Sequence, residues 1–444
     1  MLCLMSRRLD GGDPGAEAPA LPAPERGVSA RRPLPPEAFL AEETYRQTRL
    51  PVSLATTLIP DAYTSPEFHE LELERVFATS WVAAACTSEV AEPGDALVLQ
   101  VAGSSVIVVR GGDGAVRAFH NVCRHRGAQL LDEGRSHVKR FVRCPYHSWA
   151  YGLDGACLGT PLFEGSEIPE GERRIFDMSD VKEFDRRDYG LLPVRTECWG
   201  CLVFVNLDAD APPLADELGD LPERLARYRL DEWQVVREKT YEIAANYKLV
   251  GENFMEYYHL PWVHPQLVKV SPMKSHYRWQ GRGMYTGMTT TPIAAADGGG
   301  WLGLPPIAGL GDADRVSARF AWVFPNLAVN VLPNHVFLML ARPRGPAHTS
   351  EATYLLAHPE SLAAPGADAE VEQLASFWDD VNREDVAIVE RVQRGLSNRA
   401  YPGGRMCYRF EEPLHRYQNM VIDRMLGIRR VPEGDAVEQA PMFS

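Results

Sequence analysis

Short apolar runs separated by glycine-rich turns dominate the chain from Gly94 to about Asn206. Residues 96–101 and 105–110 favour two strands, and the sequence Gly-Gly-Asp-Gly that follows them is typical of a hairpin turn. A second Asp-Gly turn, at 154–155, separates two further short runs in the same way. This spacing of strands and turns predicts a small antiparallel β domain.

Helical and extended patterns are mixed outside this region. Ser65 followed by Pro66 is typical of a helix start, because serine caps free backbone N–H groups and proline fits the first turn. Together the patterns predict an α+β fold, in which the small β domain precedes a larger α+β domain. The predicted helices are residues 65–81, 246–259 and 371–395, and the predicted strands of the larger domain are residues 318–332, 335–342 and 351–358.

Shifts in composition divide the chain into five segments. Residues 1–42 are rich in Pro and Ala and are predicted to form a disordered tail. Residues 43–88 are predicted to form N-terminal helices that pack on the larger domain, which spans 206–430. The β domain is predicted at 89–205, and the polar residues 431–444 are predicted to form a loose C-terminal tail.

Charge and hydrophobicity disfavour several classes of protein. The 444 residues include 46 Lys and Arg against 60 Asp and Glu, and the resulting net charge of −14 repels nucleic acid. No apolar run approaches the roughly 18 residues that a membrane span needs. Because the first residues lack the apolar core of a signal peptide, we expect a cytoplasmic protein whose eight cysteines are free thiols or metal ligands.

Four residues of the predicted β domain form the most specific motif in the chain. Cys123 and His125 form a Cys-x-His pair, Cys144 and His147 form a Cys-x-x-His pair, and each pair follows a predicted strand. Two cysteines on one iron and two histidines on the other are the ligands of a Rieske [2Fe–2S] cluster. Zinc is an alternative, although Cys-x-His is tighter than the usual spacing of zinc ligands. Four residues without a common role are the remaining interpretation.

A second group of candidate metal ligands lies at residues 256–264. Glu256 and His259 are three residues apart, so on a helix they would share one face. Pro261 disfavours a continuous helix, and we expect a bend there to bring His264 close to His259. Two histidines and one carboxylate form the facial triad of non-haem iron oxygenases.

The carboxylate of such a triad has to come from elsewhere in the chain. Asp380, Glu384 and Asp385 lie in the helix predicted at 371–395, and the residue pattern alone does not choose among them. A solvent-exposed helix face is the alternative interpretation of these acidic residues.

Two segments, residues 121–127 (NVCRHRG) and 144–149 (CPYHSW), resemble the large subunit of Rieske non-haem iron oxygenases. The resemblance implies a curved antiparallel sheet with covering helices in the larger domain. It also implies a Rieske cluster and a mononuclear Fe(II). The ligands implied for the cluster are Cys123, His125, Cys144 and His147, and those implied for the Fe(II) are His259, His264 and Asp385.

The resemblance gives Glu256 a catalytic role as well. In this family an acidic residue at that place bridges the first iron histidine to a Rieske histidine of a neighbouring subunit, here His147, which implies a homotrimer. The sequence has no nucleotide-binding or flavin-binding fingerprint. We therefore expect a separate reductase with flavin, a ferredoxin cluster or both to supply electrons from NAD(P)H.

The details around residues 256–259 and 383–396 resemble the choline, carnitine and glycine betaine monooxygenases. The expected reaction is hydroxylation or N-demethylation of a small quaternary ammonium compound with O2, of the choline, glycine betaine, carnitine or stachydrine type. An aromatic-ring hydroxylating dioxygenase is the alternative, and a non-catalytic electron carrier is a third interpretation. Aromatic faces bind quaternary ammonium groups. The candidate aromatic residues are Tyr257, Trp262, Trp301, Phe320, Trp322 and Phe324.

Overall fold

The computed structural model describes residues 30–161, 183–293, 303–435 and 440–441. Ten short strands form the first half of this fold. They are β1 Val82–Cys86, β2 Asp95–Val101, β3 Ser104–Arg110, β4 Val116–His120, β5 Gly134–His137, β6 Phe141–Arg143, β7 Ala150–Gly152, β8 Cys157–Gly159, β9 Pro193–Trp199 and β10 Leu202–Asn206.

These strands form two antiparallel sheets. Seven of them pair in the order β1-β10-β9-β4-β3-β2-β5, and the other three pair in the order β6-β7-β8. Alternating residues such as Val98 and Ile107 point from the larger sheet into a shared core. Cys123, Cys144 and Trp149 belong to the same core, so the cysteines of both predicted ligand pairs are anchored between the two sheets.

The larger domain is built around an eight-stranded antiparallel sheet of order β11-β17-β16-β15-β14-β13-β12-β18. Its strands are β11 Gln234–Ile243, β12 His276–Trp279, β13 Tyr285–Thr290, β14 Ala318–Val323, β15 Leu327–Val331, β16 Val336–Gly345, β17 His348–Ala357 and β18 Ala440–Pro441. The α-helices of the described chain are α1 Asp61–Thr64, α2 Pro66–Glu72, α3 Leu214–Leu218, α4 Leu221–Leu225, α5 Tyr247–Phe254, α6 Leu260–Val263, α7 Leu267–Val270, α8 Asp312–Arg315, α9 Pro359–Leu362, α10 Ala367–Leu396 and α11 Glu412–Met425.

The long helix α10 covers one face of this sheet. Its buried residues are spaced by three, four, seven or eight positions, which places them on one side of the helix, against a core. Val371, Leu374 and Val389 are examples. The same core contains Phe337 and Leu355 from the sheet. Confirming the predicted fold class, the chain combines a small β domain with a larger α+β domain.

The structure corrects the predicted N-terminal tail. Pro36–Leu40 forms a 3-10 helix in which Phe39 is fully buried. The backbone N–H of Leu34 donates a hydrogen bond to Asp61 at 3.2 Å. The prediction of disorder is therefore wrong for residues 30–42, and residues 1–29 lie outside the described part of the chain.

Other predicted segment limits also differ from the structure. The segment predicted as N-terminal helices, 43–88, includes strand β1, which pairs with β10. At the other end, the segment predicted to be loose contains Ala440–Pro441, which pairs with β12. No helix in the described residues is long and apolar enough to cross a membrane.

Candidate metal centres and the buried cavity

The two cysteine–histidine pairs lie on loops of the same local design. In the loop after β4, the N–H of Cys123 bonds the carbonyl of Ala128 at 2.8 Å, and the carbonyl of Cys123 accepts from Gly127 at 3.0 Å. The loop after β6 repeats both bonds, with Cys144 taking the place of Cys123 and Ser148 that of Gly127. Gly127 and Ser148 have φ angles of 71° and 61°, so both loops make the same left-handed turn.

Like ligands face like ligands between these loops. Cys123 and Cys144 are 3% and 2% exposed, and their thiols interact with each other. The imidazole rings of His125 and His147 lie 4.7 Å apart. A Rieske cluster needs two cysteines on one iron and two histidines on the other, so the donor set and its pairing fit that cluster.

The environment of the thiols differs from that of the imidazoles. Burial raises the pKa of the Cys123 thiol. The Tyr151 hydroxyl lies 3.2 Å from the Cys123 sulfur and accepts a hydrogen bond from the Arg124 N–H at 3.0 Å. It can donate its own proton to the sulfur when Cys123 is a thiolate. His147 is exposed at the protein surface. The cysteine side of this site therefore lies in the core, and the histidine side reaches solvent.

The second candidate site begins where α5 ends. The sequence predicted a helix to residue 259 with Glu256 and His259 on one face, but the helix ends at Phe254 and residues 255–259 are irregular. The Glu256 carboxylate accepts hydrogen bonds from the backbone N–H groups of Tyr258 and His259, which holds this loop. Pro261 lies in the first turn of the new helix α6 instead of bending an existing one.

Three groups from distant parts of the chain meet at this loop. One ligand atom each of His259, His264 and Asp385 lie within 4.8 Å of one another. The Asp385 oxygen Oδ1 is 2.8 Å from Nε2 of His264 and 3.6 Å from Nε2 of His259. Asn253 donates a hydrogen bond to the same oxygen at 2.7 Å. Two imidazoles and one carboxylate in this arrangement fit a mononuclear Fe(II) site.

Each imidazole also forms a hydrogen bond to a further carboxylate through Nδ1, the ring nitrogen that does not face the metal site. Nδ1 of His259 lies 2.5 Å from Glu256, and Nδ1 of His264 lies 2.6 Å from Glu384. Such bonds fix the tautomer that leaves Nε2 free for a metal. Burial lowers the pKa of His264, but the carboxylates of Asp385 and Glu384 outweigh it and raise the pKa above its usual value. The site therefore attracts positive charge.

The structure distinguishes the three acidic candidates on α10. Asp385 faces the two histidines, Glu384 supports His264, and Asp380 is exposed. The sequence analysis considered Glu384 only as a candidate iron ligand and did not predict that it supports His264. In the sequence, only its position next to Asp385 hints at this role. The contact with His264 depends on how the chain packs against the helix.

A cavity of about 580 Å³ adjoins the three metal-ligating groups. Of the predicted aromatic residues, Tyr257 and Phe320 line it. Trp262 is 79% exposed and Trp322 is buried in the core, so the prediction that they line the pocket is wrong. Phe324 is also buried in that core, and Trp301 lies outside the described residues. The aromatic residues of the lining that the sequence analysis missed are Phe254, Phe337, Phe377 and Trp378.

Comparison with known proteins places both sites in one family. Residues 80–176 match the model of the Rieske [2Fe-2S] domain, and residues 230–427 match that of the ring hydroxylating alpha subunit (catalytic domain). The chain is 30% identical over 397 residues to the glycine betaine monooxygenase oxygenase subunit of Chromohalobacter salexigens, covering 82% of this chain and 84% of that relative. The chain belongs to the Rieske non-haem iron oxygenases.

Two further relatives support this membership. The carnitine monooxygenase oxygenase subunit of Acinetobacter pittii is 29% identical over 351 residues, which cover 77% of this chain and 85% of that one. A solved quaternary ammonium Rieske monooxygenase, described with carnitine oxidation and inter-subunit electron transfer, matches with a TM-score of 0.70 and 25% identity. That match covers 89% of this chain and 100% of the solved one.

Membership confirms the predicted cofactors and reaction class. The chain is an iron-dependent oxygenase with a Rieske [2Fe–2S] cluster and a mononuclear iron. As a Rieske oxygenase alpha subunit it takes electrons from a reductase and acts with O2 on a small molecule.

Proposed function

We propose that this chain hydroxylates a small quaternary ammonium compound, either at a carbon beside nitrogen, which leads to N-demethylation, or at another carbon of the substrate. The carrying observation is the cavity beside His259, His264 and Asp385, whose walls are largely apolar and aromatic. Aromatic faces suit a cation that has no N–H to donate. The relatives' names, which refer to glycine betaine and carnitine, favour this function over the aromatic-ring dioxygenase.

The proposed cluster ligands are the two buried cysteines and the two histidines that face each other, Cys123, Cys144, His125 and His147. When bound, the cluster would supply single electrons and the Fe(II) would supply open positions for O2. The proposed ligands of the Fe(II) are His259, His264 and Asp385.

The surrounding residues have positioning roles in this proposal. Glu256 and Glu384 hold the protons on Nδ1 of the two histidines, so the Nε2 atoms stay available as ligands. Asn253 fixes the orientation of the Asp385 carboxylate. The apolar walls of the cavity keep water away from the reacting carbon.

We also propose that the enzyme is a cytoplasmic homotrimer in which His147 of the partner subunit meets Glu256. Two exposed surfaces support this contact. His147 and the 56% exposed Tyr146 lie on the Rieske loop, and Tyr258 and Trp262, which are 50% and 79% exposed, lie beside the iron site. Such exposed aromatic residues are typical of interfaces. A reducing compartment suits cysteines that must bind iron.

Turnover of a defined substrate panel tests the function. The iron-loaded enzyme with a reductase should convert at least one of choline, glycine betaine, carnitine or stachydrine, with one oxygen atom incorporated per product. His259→Ala should keep the EPR signal of the reduced cluster and lose oxygenation, which also excludes a simple electron carrier. Conversion of benzoate or naphthalene to cis-diols, with all four ammonium compounds inert, would refute the proposal.

Mixed oligomers test the proposed contact between subunits. A Cys123→Ala chain lacks a cluster and an Asp385→Ala chain lacks the mononuclear iron, so each alone should be inactive. Co-assembled trimers should recover part of the activity, because the cluster of one subunit serves the iron of its neighbour. A monomer by light scattering, or mixed trimers without activity, would contradict the arrangement.

A further inference from the structure

The cavity contains a buried acidic side chain without a counter-ion. Glu351 lies on β17, is 0% exposed and lines the cavity. Its Oε1 accepts a hydrogen bond from Asn382 at 2.7 Å, whereas its Oε2 has no hydrogen-bond partner among the described residues. No ion pair to Glu351 is present in that part of the chain. A buried carboxylate in this condition is costly unless a positive charge accompanies it.

Glu351 lies close to the place of reaction. Its partner Asn382 is three residues before Asp385 on α10, which is about 4.5 Å along the helix axis. Trp378 lies four residues further back and lines the cavity on the same stripe of the helix. Glu351 and the iron ligand Asp385 thus line the same cavity.

One aromatic wall of the cavity is held in a fixed orientation. Trp378 stacks on Phe337 with the ring centroids 4.5 Å apart and the planes 6° from parallel. Its indole N–H donates to Nε2 of His335 at 2.9 Å. Burial lowers the pKa of His335 to about 3, so this imidazole is neutral and accepts that bond. Trp378 is therefore pre-positioned as part of a cation-binding wall.

The charged groups around the cavity are all acidic in the described residues. Glu256, Glu351 and Asp385 line it together with neutral side chains, and no Lys or Arg does so. Burial raises the pKa of Glu351 to about 7, so a cation beside it would favour its ionised form. The carboxylates of Glu256 and Asp385 would match the two charges of a ferrous ion, and an ionised Glu351 would add one negative charge. A substrate with a single positive charge balances that charge, whereas a substrate carboxylate meets no Lys or Arg among the described residues that line the cavity.

Two more buried polar atoms indicate what the rest of the substrate carries. Tyr257 and Asn330 both line this cavity, and the Tyr257 hydroxyl and Oδ1 of Asn330 have no hydrogen-bond partner in the described chain. Tyr257 is 6% exposed and Asn330 is 1% exposed. A phenol and an amide oxygen bind an alcohol well, since an alcohol both donates and accepts hydrogen bonds.

We propose that Glu351 is the counter-ion of the ammonium group and that the substrate is an organic monocation with an uncharged, hydroxylated remainder. This inference rests on the proposed function and narrows it, because it places choline-like cations ahead of the zwitterions glycine betaine and carnitine. Glu351 acts here as a specificity-determining residue, and Trp378 supplies an aromatic face.

Equilibrium binding to the purified holoenzyme tests the proposed preference for monocations. The probes are choline, glycine betaine and 3,3-dimethylbutan-1-ol, in which carbon replaces the nitrogen of choline. By calorimetry choline should bind about 30-fold or more tightly than either of the other two, in line with the effect of a buried charge pair. Glycine betaine binding as tightly as choline would overturn the inference.

The matched variants are Glu351→Gln and Glu252→Gln. Glu252 is also buried and hydrogen-bonded, to Tyr63 at 2.6 Å and Gln418 at 2.9 Å, but it does not line the cavity. Glu351→Gln should bring the affinities for choline and its neutral isostere to within about 3-fold, with the isostere's own affinity kept, whereas Glu252→Gln should keep the wild-type preference. Unchanged selectivity in Glu351→Gln would overturn the inference.

Folding and function are separated by two further readouts. The EPR spectrum of the reduced cluster and the melting temperature report whether Glu351→Gln is folded. If glutamine destabilises the protein, Glu351→Asp is the second variant. It keeps the negative charge and should retain part of the preference for choline over its neutral isostere. Turnover of glycine betaine or carnitine in preference to choline would overturn the proposed preference for monocations and leave the proposed function intact. Failure to convert any ammonium compound would refute the proposed function itself.

Discussion

Glu384 offers a direct test of how the iron site is built. Its carboxylate lies 2.6 Å from Nδ1 of His264, while Nε2 of that ring faces Asp385 at 2.8 Å. Glu384→Ala removes the acceptor that fixes the tautomer and the ring orientation. Loss of such a supporting bond weakens metal binding by about 10- to 100-fold, which corresponds to about 1.4 to 2.7 kcal/mol.

The effect should be confined to the metal. The Glu384 side chain is 51% exposed, so we expect the metal-free protein to lose less than about 0.5 kcal/mol of unfolding free energy. Competitive titration with Fe(II) under anaerobic conditions measures the affinity, and EPR of the reduced cluster checks the other centre. Asp380→Ala, an exposed acidic position on the same helix, is the matched control.

Glu256→Ala extends this comparison to the other imidazole. Glu256 supports His259 and also accepts hydrogen bonds from two backbone N–H groups of the ligand loop. Its loss should therefore weaken iron binding more than the loss of Glu384. Wild-type iron affinity in Glu384→Ala, or equal loss of iron and cluster, would refute the reasoning.

Three further predictions concern the frame around the sites. Lys248→Met leaves the buried Glu72 without its 2.8 Å ion pair and should lower the unfolding free energy by about 3 to 5 kcal/mol in urea titrations; a loss below 1 kcal/mol would contradict this. Tyr151→Phe removes the hydroxyl group that lies next to the Cys123 sulfur. This change should lower the reduction potential of the cluster by about 40 mV in a redox titration, which is the equivalent of one neutral hydrogen bond. An unchanged or higher potential would contradict the prediction. Burial raises the pKa of Glu252 to about 7. The folded state therefore keeps a proton that the unfolded state loses above about pH 4.5. The unfolding free energy should then fall as the pH rises from about 5 to 7. Glu252→Gln should flatten that fall in urea titrations across this pH range, and an unaltered slope would speak against the assignment.

The fold class and the Rieske loops follow from short-range signals. The paired strands β2 and β3 are visible as apolar runs closed by Gly-rich turns, and the Cys-x-His and Cys-x-x-His spacings lie within loops of a few residues. One local feature was missed. The two loops share a left-handed turn at Gly127 and Ser148, and Ser148 carries no sequence signal for that conformation.

The mononuclear site was only partly predictable. The order of the residues 256–264 indicated two nearby histidines, but the sequence placed Pro261 at a bend in one helix, whereas it opens a new one. A proline fits both positions, because it lacks an N–H in either. The structure has a new helix at Pro261 because the Glu256 carboxylate holds the preceding loop in a non-helical conformation.

What the sequence determined by itself was the local chemistry: which residues have ligand-forming side chains, how far apart they stand, and which runs form strands or helices. What only the tertiary structure decided was which side chains share a cavity. Asp385 faces His264 across 121 positions of the chain, Glu384 supports the same ring, and Glu351 joins Trp378 on the cavity wall. The reason is physical, since strand and helix periodicity fixes which residues share a face, but the packing of α10 on the sheet fixes which faces meet.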